Sequence, residues 1–237
     1  MDKTVYNFAQ KFDHTNLNIG ASSDDLFNLC SEAIQYNFYS VMVYPFFICD
    51  CRMVLHETNV KVGTVVGFPH GRSDLAVKEK EIEVCIEQGA QEIDVVPDRN
   101  GLFTDNLDHF EHEVTTLTNI CKQGKVPIKF ILETCYLDTC QKLNALRVCE
   151  NAGADFIKTS TGFGTHGAVE EDIILFNKHR TTDIGIKASG GIKTLQDATK
   201  MIKAGATRLG TSSSVSIIKE FIDKYENYSN VIEFARK

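Results

Sequence analysis

The chain reads Asn151-Ala152-Gly153-Ala154-Asp155-Phe156-Ile157-Lys158-Thr159 in its second half, which predicts the end of a helix followed at once by a short strand. Glycine adopts the left-handed backbone that terminates a helix, and the small alanines allow close packing onto the next strand. The same ending occurs at Gln88-Gly89-Ala90 and at Lys203-Ala204-Gly205-Ala206. The chain therefore repeats a unit in which a helix leads into a strand.

Short and mostly apolar segments recur along the chain and predict eight strands. They lie at residues 11–14, 40–43, 60–66, 92–96, 127–132, 155–159, 185–188 and 207–210. The segments lack the polar alternation of a sheet with one wet face, which indicates strands buried on both faces. Between them, apolar residues recur at helical spacing, and residues typical of helix caps precede three of these patterns, at Ser22–Asp25, Ser73–Asp74 and Thr194.

The number of these units predicts the fold class. Eight strand and helix units in 237 residues fit an α/β fold of one domain over residues 1–237, a single (β/α)8 TIM barrel. An open doubly wound sheet is the alternative. That fold usually has fewer units and a glycine-rich first turn, which this sequence lacks.

The charge balance and the cysteines limit the classes of partner. The 25 basic and 32 acidic residues give a net charge of −7, which disfavours nucleic acid or an anionic membrane as a partner. No apolar stretch is long enough to span a bilayer, and the polar N-terminus does not resemble a signal peptide, so we expect a cytoplasmic protein. The eight cysteines are scattered without the spacing of a zinc site, so we expect mostly reduced and buried thiols that bind no metal. We expect no cofactor either.

Three charged residues lie in segments where charge is costly. Lys158 and Lys187 each belong to a short apolar strand that runs into a polar, glycine-containing turn, and Asp94 lies inside another apolar strand. Burial lowers the pKa of a lysine and makes a neutral amine available, which attacks carbonyl groups. The two lysines therefore indicate Schiff-base chemistry, and Asp94 is a candidate for proton transfer beside them.

Two further charged residues in predicted strands receive supporting roles. Asp13 lies near the end of the first strand, where a carboxylate can orient or cap as readily as react. Lys129 is a third lysine within a strand, but no glycine-rich loop follows it. We therefore predict that Lys129 forms a structural ion pair, with Glu133 as one candidate partner.

The loops after the last three strands are rich in glycine and hydroxyl groups. Glycines let backbone N–H groups approach an anion, and loops after the seventh and eighth strands are the usual phosphate site of this barrel. The sequence thus predicts a small phosphorylated substrate held after Lys158, after Lys187 and after the eighth strand, with Thr159 in support. The candidate phosphate-binding residues are Gly162, Gly190, Gly191, Gly210, Ser212 and Ser213.

A set of motifs in the same order resembles the 2-deoxyribose-5-phosphate aldolase family. The motifs are residues 13–15, 65–71, 92–96, 156–163, 187–192 and 208–213. The resemblance implies a class I aldolase that reversibly cleaves 2-deoxy-D-ribose 5-phosphate to D-glyceraldehyde 3-phosphate and acetaldehyde without a metal. It also implies that Lys158 forms the Schiff base, and that Asp94 and Lys187 are the proton donor and acceptor pair.

The sequence departs from the family pattern at three positions. Met42 stands where a cysteine is often found, Pro97 interrupts the segment after Asp94, and Phe163 stands where some members have a phosphate-binding lysine. Barrels of this type often pair through helix faces, so a homodimer or a homotetramer is compatible with the sequence. Two other readings stay open: a Schiff-base aldolase, isomerase or synthase for a different phosphorylated sugar, and a non-catalytic barrel that binds a phosphorylated ligand.

Overall fold

The eight strands form a closed parallel barrel. The structure, a computed structural model, describes residues 2–104 and 106–235. The strands pair in chain order and β8 pairs with β1. Their bounds are β1 Phe12–Thr15, β2 Ser40–Val43, β3 Lys61–Val66, β4 Glu92–Val95, β5 Ile128–Ile131, β6 Phe156–Lys158, β7 Gly185–Ser189 and β8 Arg208–Thr211. The (β/α)8 prediction is confirmed, each predicted strand end is within one residue of the observed one, and the open sheet is excluded.

Helices lie between the strands, and three of them begin at the predicted caps. Their bounds are α1 Lys3–Ala9, α2 Ser23–Tyr36, α3 Ile48–Val54, α4 Leu75–Glu87, α5 Asn100–Phe103, α6 Leu107–Gln123, α7 Thr139–Ala152, α8 Glu170–His179, α9 Leu195–Ala204 and α10 Ser214–Ala235. Ser22 and Thr194 each form a capping box with an aspartate three residues later, and Asp74 accepts a hydrogen bond from the Ala76 N–H. Within the described ranges, no helix is long and apolar enough to cross a membrane.

Alternation along the strands separates an apolar outer face from an interior that contains a cluster of charges. Outward residues such as Ile93, Phe130 and Leu209 pack with the helices in the main hydrophobic core. The alternate residues Asp94 and Lys129 are fully buried as well, yet they do not belong to that core. Since successive side chains of a strand point to opposite faces, these charges face the barrel axis.

Parallel register brings the inward charges next to one another. Asp94 is opposite Lys129, Lys158 is opposite Lys187, and Lys187 is opposite Arg208. Glycine leaves room for the long side chains, because a Cβ at Gly210 would lie 2.9 Å from the Lys187 Cε. The register of five adjacent strands, β4 to β8, therefore builds a charged layer inside the barrel.

The eight cysteines are free thiols, and five of them are buried, namely Cys30, Cys51, Cys85, Cys121 and Cys149. This agrees with the expectation of reduced and mostly buried cysteines.

Substitutions of Gly153 test the role of glycine in the helix ending that repeats along the chain. Its φ of 71° is left-handed, and its N–H closes the last turn of α7 on the Cys149 and Glu150 carbonyls. We expect Gly153→Ala to lower the free energy of unfolding by about 1 kcal/mol and Gly153→Asn by less, because asparagine tolerates this backbone. Urea unfolding measures both losses. Equal stability of the alanine variant and the parent protein would contradict the cap assignment.

Candidate active site

The Asp94 carboxylate lies at the centre of the charged layer and contacts three lysines. Its Oδ1 is 2.9 Å from the Lys129 Nζ, and its Oδ2 is 2.9 Å from the Lys158 Nζ and 2.7 Å from the Lys187 Nζ. Asp94 is fully buried, as are Lys129 and Lys187, and Lys158 is 3% exposed. The structure therefore brings the three residues predicted to carry the chemistry, Lys158, Asp94 and Lys187, together at one carboxylate.

A second set of ion pairs extends this cluster deeper into the barrel. Asp13 lies 2.5 Å from the Lys187 Nζ and 2.8 Å from Arg208, and it accepts a hydrogen bond from the Ser40 hydroxyl at 2.8 Å. Glu92 lies 2.8 Å from the Lys129 Nζ and 3.2 Å from Arg208. Asp13 thus contacts Lys187 and Arg208, and its supporting role stays a prediction.

These ion pairs leave one lysine with fewer carboxylate partners than the other cations have. Lys129, Lys187 and Arg208 each contact two carboxylates, whereas Lys158, among the residues that the structure describes, contacts Asp94 alone. These four cations share three carboxylates, so the charged cluster has one formal positive charge in excess when every group is ionised. Loss of a proton from Lys158 removes this excess charge and breaks one ion pair, whereas loss of a proton from any of the other three cations would break two.

The pKa values of the buried groups follow from this arrangement. Burial lowers the pKa of Lys158 to about 8; the charges of Lys187 and Lys129 act in the same direction, and Asp94 opposes them. Burial alone would raise the pKa of Asp94, but Lys129, Lys158 and Lys187 outweigh it and hold that pKa well below the usual value. At pH 7 about one tenth of the Lys158 amines are then neutral, against fewer than about one in a thousand for an ordinary lysine.

The predicted pairing of Lys129 with Glu133 is wrong. Lys129 pairs with Glu92 and Asp94 instead, because its side chain points into the barrel and β5 lies next to β4, which carries both carboxylates. Glu133 lies beyond the end of β5 in a left-handed backbone conformation, with φ 53°, and its carboxylate accepts hydrogen bonds from the Thr161 N–H and hydroxyl. The ionic role predicted for Lys129 is confirmed, with different partners.

A cavity of about 570 Å³ opens at the carboxyl ends of the strands. Of the charged cluster, only Lys158 lines it, and Asp94, Lys187 and Lys129 lie behind the wall. Its volume is in the range of small-molecule sites. A ligand in this cavity therefore meets Lys158 as the one amine of the cluster within its reach.

The predicted phosphate-binding residues surround this cavity. Gly162, Gly190, Gly191, Gly210, Ser212 and Ser213 all line it, as do Thr161 and Lys193. Positive φ values at Gly162, Gly190 and Gly191 require glycine or a strained residue, and α10 begins directly after Ser213. A helix N-terminus and exposed turns on one wall favour an anion there. Thr159 is fully buried and exchanges hydrogen bonds with Ser189, so it joins two strand ends instead of lining the cavity.

The three departures from the family pattern lie in different surroundings. Met42 is buried inside the barrel, where Gly63 leaves room for its side chain. Phe163 is 51% exposed, lines the cavity and packs edge-on against Phe68, with ring centroids 5.5 Å apart. The Pro97 carbonyl lies against Gly71, so the loops after β3 and β4 touch there.

Sequence reasoning gave no role to Glu92 and Arg208. Glu92 precedes Asp94 by two residues on the same strand, and this spacing alone indicates that both carboxylates face the barrel axis. Arg208 closes the charged cluster from β8 and stacks on Tyr39, with its guanidinium 3.6 Å from the ring centroid. Among the residues that the structure describes, no group of three or more His, Cys, Asp or Glu could hold a metal ion.

The barrel and its site define an enzyme class, because a lysine of lowered pKa at the carboxyl end of a strand is typical of barrel enzymes that act on carbonyl compounds. The sequence profile of the DeoC/LacD family aldolases matches residues 1–218. The chain belongs to this family and is an aldolase.

Its relatives share a common name. A deoxyribose-phosphate aldolase of Caldicellulosiruptor saccharolyticus is 44% identical over 218 residues, which are 92% of this chain and 99% of that protein. One of Thermococcus gammatolerans is 42% identical, with 89% of this chain and 95% of that protein covered. The deoxyribose phosphate aldolase of Aeropyrum pernix, described as a unique tetramer, has a TM-score of 0.85 at 32% identity and 91% coverage of both chains.

Asp94→Asn tests whether one carboxylate holds the charged cluster. The amide leaves three ammonium groups without their shared counter-charge, so we expect the free energy of unfolding at pH 7 to fall by at least about 3 kcal/mol. The loss should shrink toward pH 10, because the lysines can then lose protons. Urea unfolding at both pH values measures it. The control Asp172→Asn removes a carboxylate with the single partner Lys142, and an equal loss in both variants would contradict the central position of Asp94.

Proposed function

We propose that this chain reversibly cleaves 2-deoxy-D-ribose 5-phosphate into D-glyceraldehyde 3-phosphate and acetaldehyde through a Schiff base on Lys158. The observation that carries this proposal is the position of Lys158, whose amine has a lowered pKa and lines the cavity beside the glycine-rich loops. The names of the relatives support the same substrate.

The reaction begins with the neutral amine of Lys158. Its lone pair attacks C1 of the open-chain sugar, and the resulting carbinolamine loses water to give an iminium. A base takes the proton of the C3 hydroxyl, the C3–O electrons form the new carbonyl, and the C2–C3 bond breaks. Its electron pair moves into the iminium and leaves an enamine. Proton addition at C2 and hydrolysis then release acetaldehyde and regenerate the amine.

We assign proton transfer to Asp94 and Lys187 together. One oxygen of Asp94 contacts both the Lys158 and the Lys187 amines, so a proton can pass between them over a single carboxylate. The low pKa of Asp94 keeps it ionised in the resting protein, so it carries a relayed proton only transiently. Its charge therefore stabilises the iminium, and it orients Lys187, which lies behind the cavity wall and exchanges protons through this carboxylate.

The glycine-rich wall is the proposed site of the substrate phosphate. Gly162, Gly190, Gly191 and the Ser212–Ser213 turn line the same cavity as Lys158, and Lys193 adds a positive charge at its edge. Phe163 supplies no charge, so backbone N–H groups and Lys193 would balance the phosphate. We further propose a cytoplasmic protein that assembles as a homodimer or homotetramer, with the tetrameric relative from Aeropyrum pernix as support.

Borohydride reduction tests the nucleophile. With deoxyribose 5-phosphate, we expect a stable adduct on Lys158 by peptide mapping, and neither adduct nor turnover in Lys158→Ala. Fructose 1,6-bisphosphate should give neither cleavage nor adduct. An adduct on a different lysine would contradict the assignment, and cleavage of the bisphosphate would point to a different aldolase.

The pH dependence of catalysis tests the electrostatic part of Lys187. Lys187→Leu removes a positive charge beside Lys158, so the pKa of Lys158 should rise above about 8. Activity that requires the neutral amine is lost as pH falls through that pKa, and the acidic limb of kcat/KM should therefore move to higher pH. Turnover should also fall, since a proton-transfer partner is lost. An acidic limb of kcat/KM at the same pH in Lys187→Leu and in the parent protein would contradict this electrostatic role of Lys187.

A further inference from the structure

Glu133 is a buried carboxylate that the reaction above does not use. It is 2% exposed and, within the described part of the chain, forms no ion pair. Arg99 interacts with the Glu133 charge at longer range. Hydrogen bonds must supply the rest of the compensation that a buried carboxylate requires. Its placement therefore calls for a reason beyond packing.

Among the described residues, the hydrogen bonds of the Glu133 carboxylate all go to the loop that follows Lys158. Its Oε1 accepts from the Thr161 N–H at 3.1 Å, and its Oε2 accepts from the Thr161 hydroxyl. The Thr161 hydroxyl in turn accepts from the Phe163 N–H at 3.0 Å. Since the hydroxyl proton points to Glu133, its lone pairs are free for Phe163, and one carboxylate fixes the whole turn from residue 161 to 163.

The backbone at Glu133 is held in a conformation that costs energy. Its φ and ψ of 53° and 62° are left-handed, a region that residues other than glycine rarely occupy. Strained residues of this kind cluster at functional sites. The conformation directs the carboxylate at Thr161 and against Gly164, where a Cβ would lie 3.0 Å from Oε1.

The fixed turn forms one wall of the cavity. Thr161, Gly162 and Phe163 all line it together with Lys158. We propose that Glu133 is a positioning residue, which holds this turn in the shape that binds the phosphorylated end of the substrate. The proposal rests on the proposed function, but it concerns the wall of the cavity and leaves the nucleophile to Lys158.

Glu133→Gly is the main test, because glycine accepts the left-handed backbone, so that the variant loses the carboxylate and its two methylene groups without new backbone strain. We expect the KM for deoxyribose 5-phosphate to rise about tenfold or more, as for the loss of charge-assisted hydrogen bonds, with kcat within about threefold of the parent. The rate of borohydride-trapped adduct formation between acetaldehyde and Lys158 should stay unchanged, because acetaldehyde has no phosphate.

Variants of the partner and a matched control separate positioning from general damage. Thr161→Val should reproduce the rise in KM, Thr161→Ser should restore the parent value, and Glu133→Gly/Thr161→Val should be no worse than either single variant. Glu57→Gly makes the same substitution at an exposed residue with φ 65° and should change neither KM nor kcat.

Each result decides the proposal. An unchanged KM in Glu133→Gly overturns it, and so does a loss of acetaldehyde adduct as large as the change in KM, because Glu133 would then act on the nucleophile or on the fold. If the parent protein forms an adduct with neither compound, the proposed function fails and this inference fails with it. Adduct formation in the parent with no change in the variant contradicts the role of Glu133 alone.

Discussion

The site depends on one constraint, which is the burial of the Asp94 carboxylate among three lysine amines. The two oxygens of this carboxylate contact three ammonium groups. Lys129 and Lys187 each have a second carboxylate partner, so Lys158 is the lysine with the weakest ion pairing. Lys158 has no second carboxylate partner in the described part of the chain, and it lines the cavity. The same feature therefore explains why its pKa is lowered to about 8 and why a carbonyl compound can reach it.

This charged interior is costly, and the rest of the fold compensates for it. Buried ion pairs often contribute less to stability than apolar residues of the same size would, so the cluster is better explained by chemistry than by stability. The apolar face of each strand and the surrounding helices supply the main hydrophobic core outside the barrel. Capping boxes at Ser22 and Thr194 and the left-handed cap at Gly153 fix the helix ends from which the strands continue. Ion pairing inside the barrel and apolar packing outside it are thus separated, because successive side chains along a strand point to opposite faces.

The sequence predicted the local structure and that the key residues meet at one site, but it did not predict which of them form ion pairs with each other. Strands, caps and glycine endings depend on neighbouring residues, and the carboxyl ends of parallel strands meet at one end of a barrel, so Lys158, Asp94 and Lys187 could be expected together. The partner of Lys129 depends on which strands are adjacent and in what register. The contact of Asp13 with Arg208 joins residues 195 positions apart and exists only because the barrel closes. Glu133 could not be assigned from spacing, since its left-handed backbone turns its side chain away from Lys129 toward Thr161.

The most direct measurement is the pKa of the Lys158 ammonium in the intact protein. Lysine labelled with ¹⁵N at Nζ reports the protonation state of each amine by NMR, and Lys158→Arg assigns the signal. The charge imbalance around Asp94 predicts a Lys158 signal that titrates near pH 8. A titration at the ordinary lysine value of about 10.4 or above would show that Asp94 keeps Lys158 cationic, and it would contradict the account of how the site makes a neutral amine.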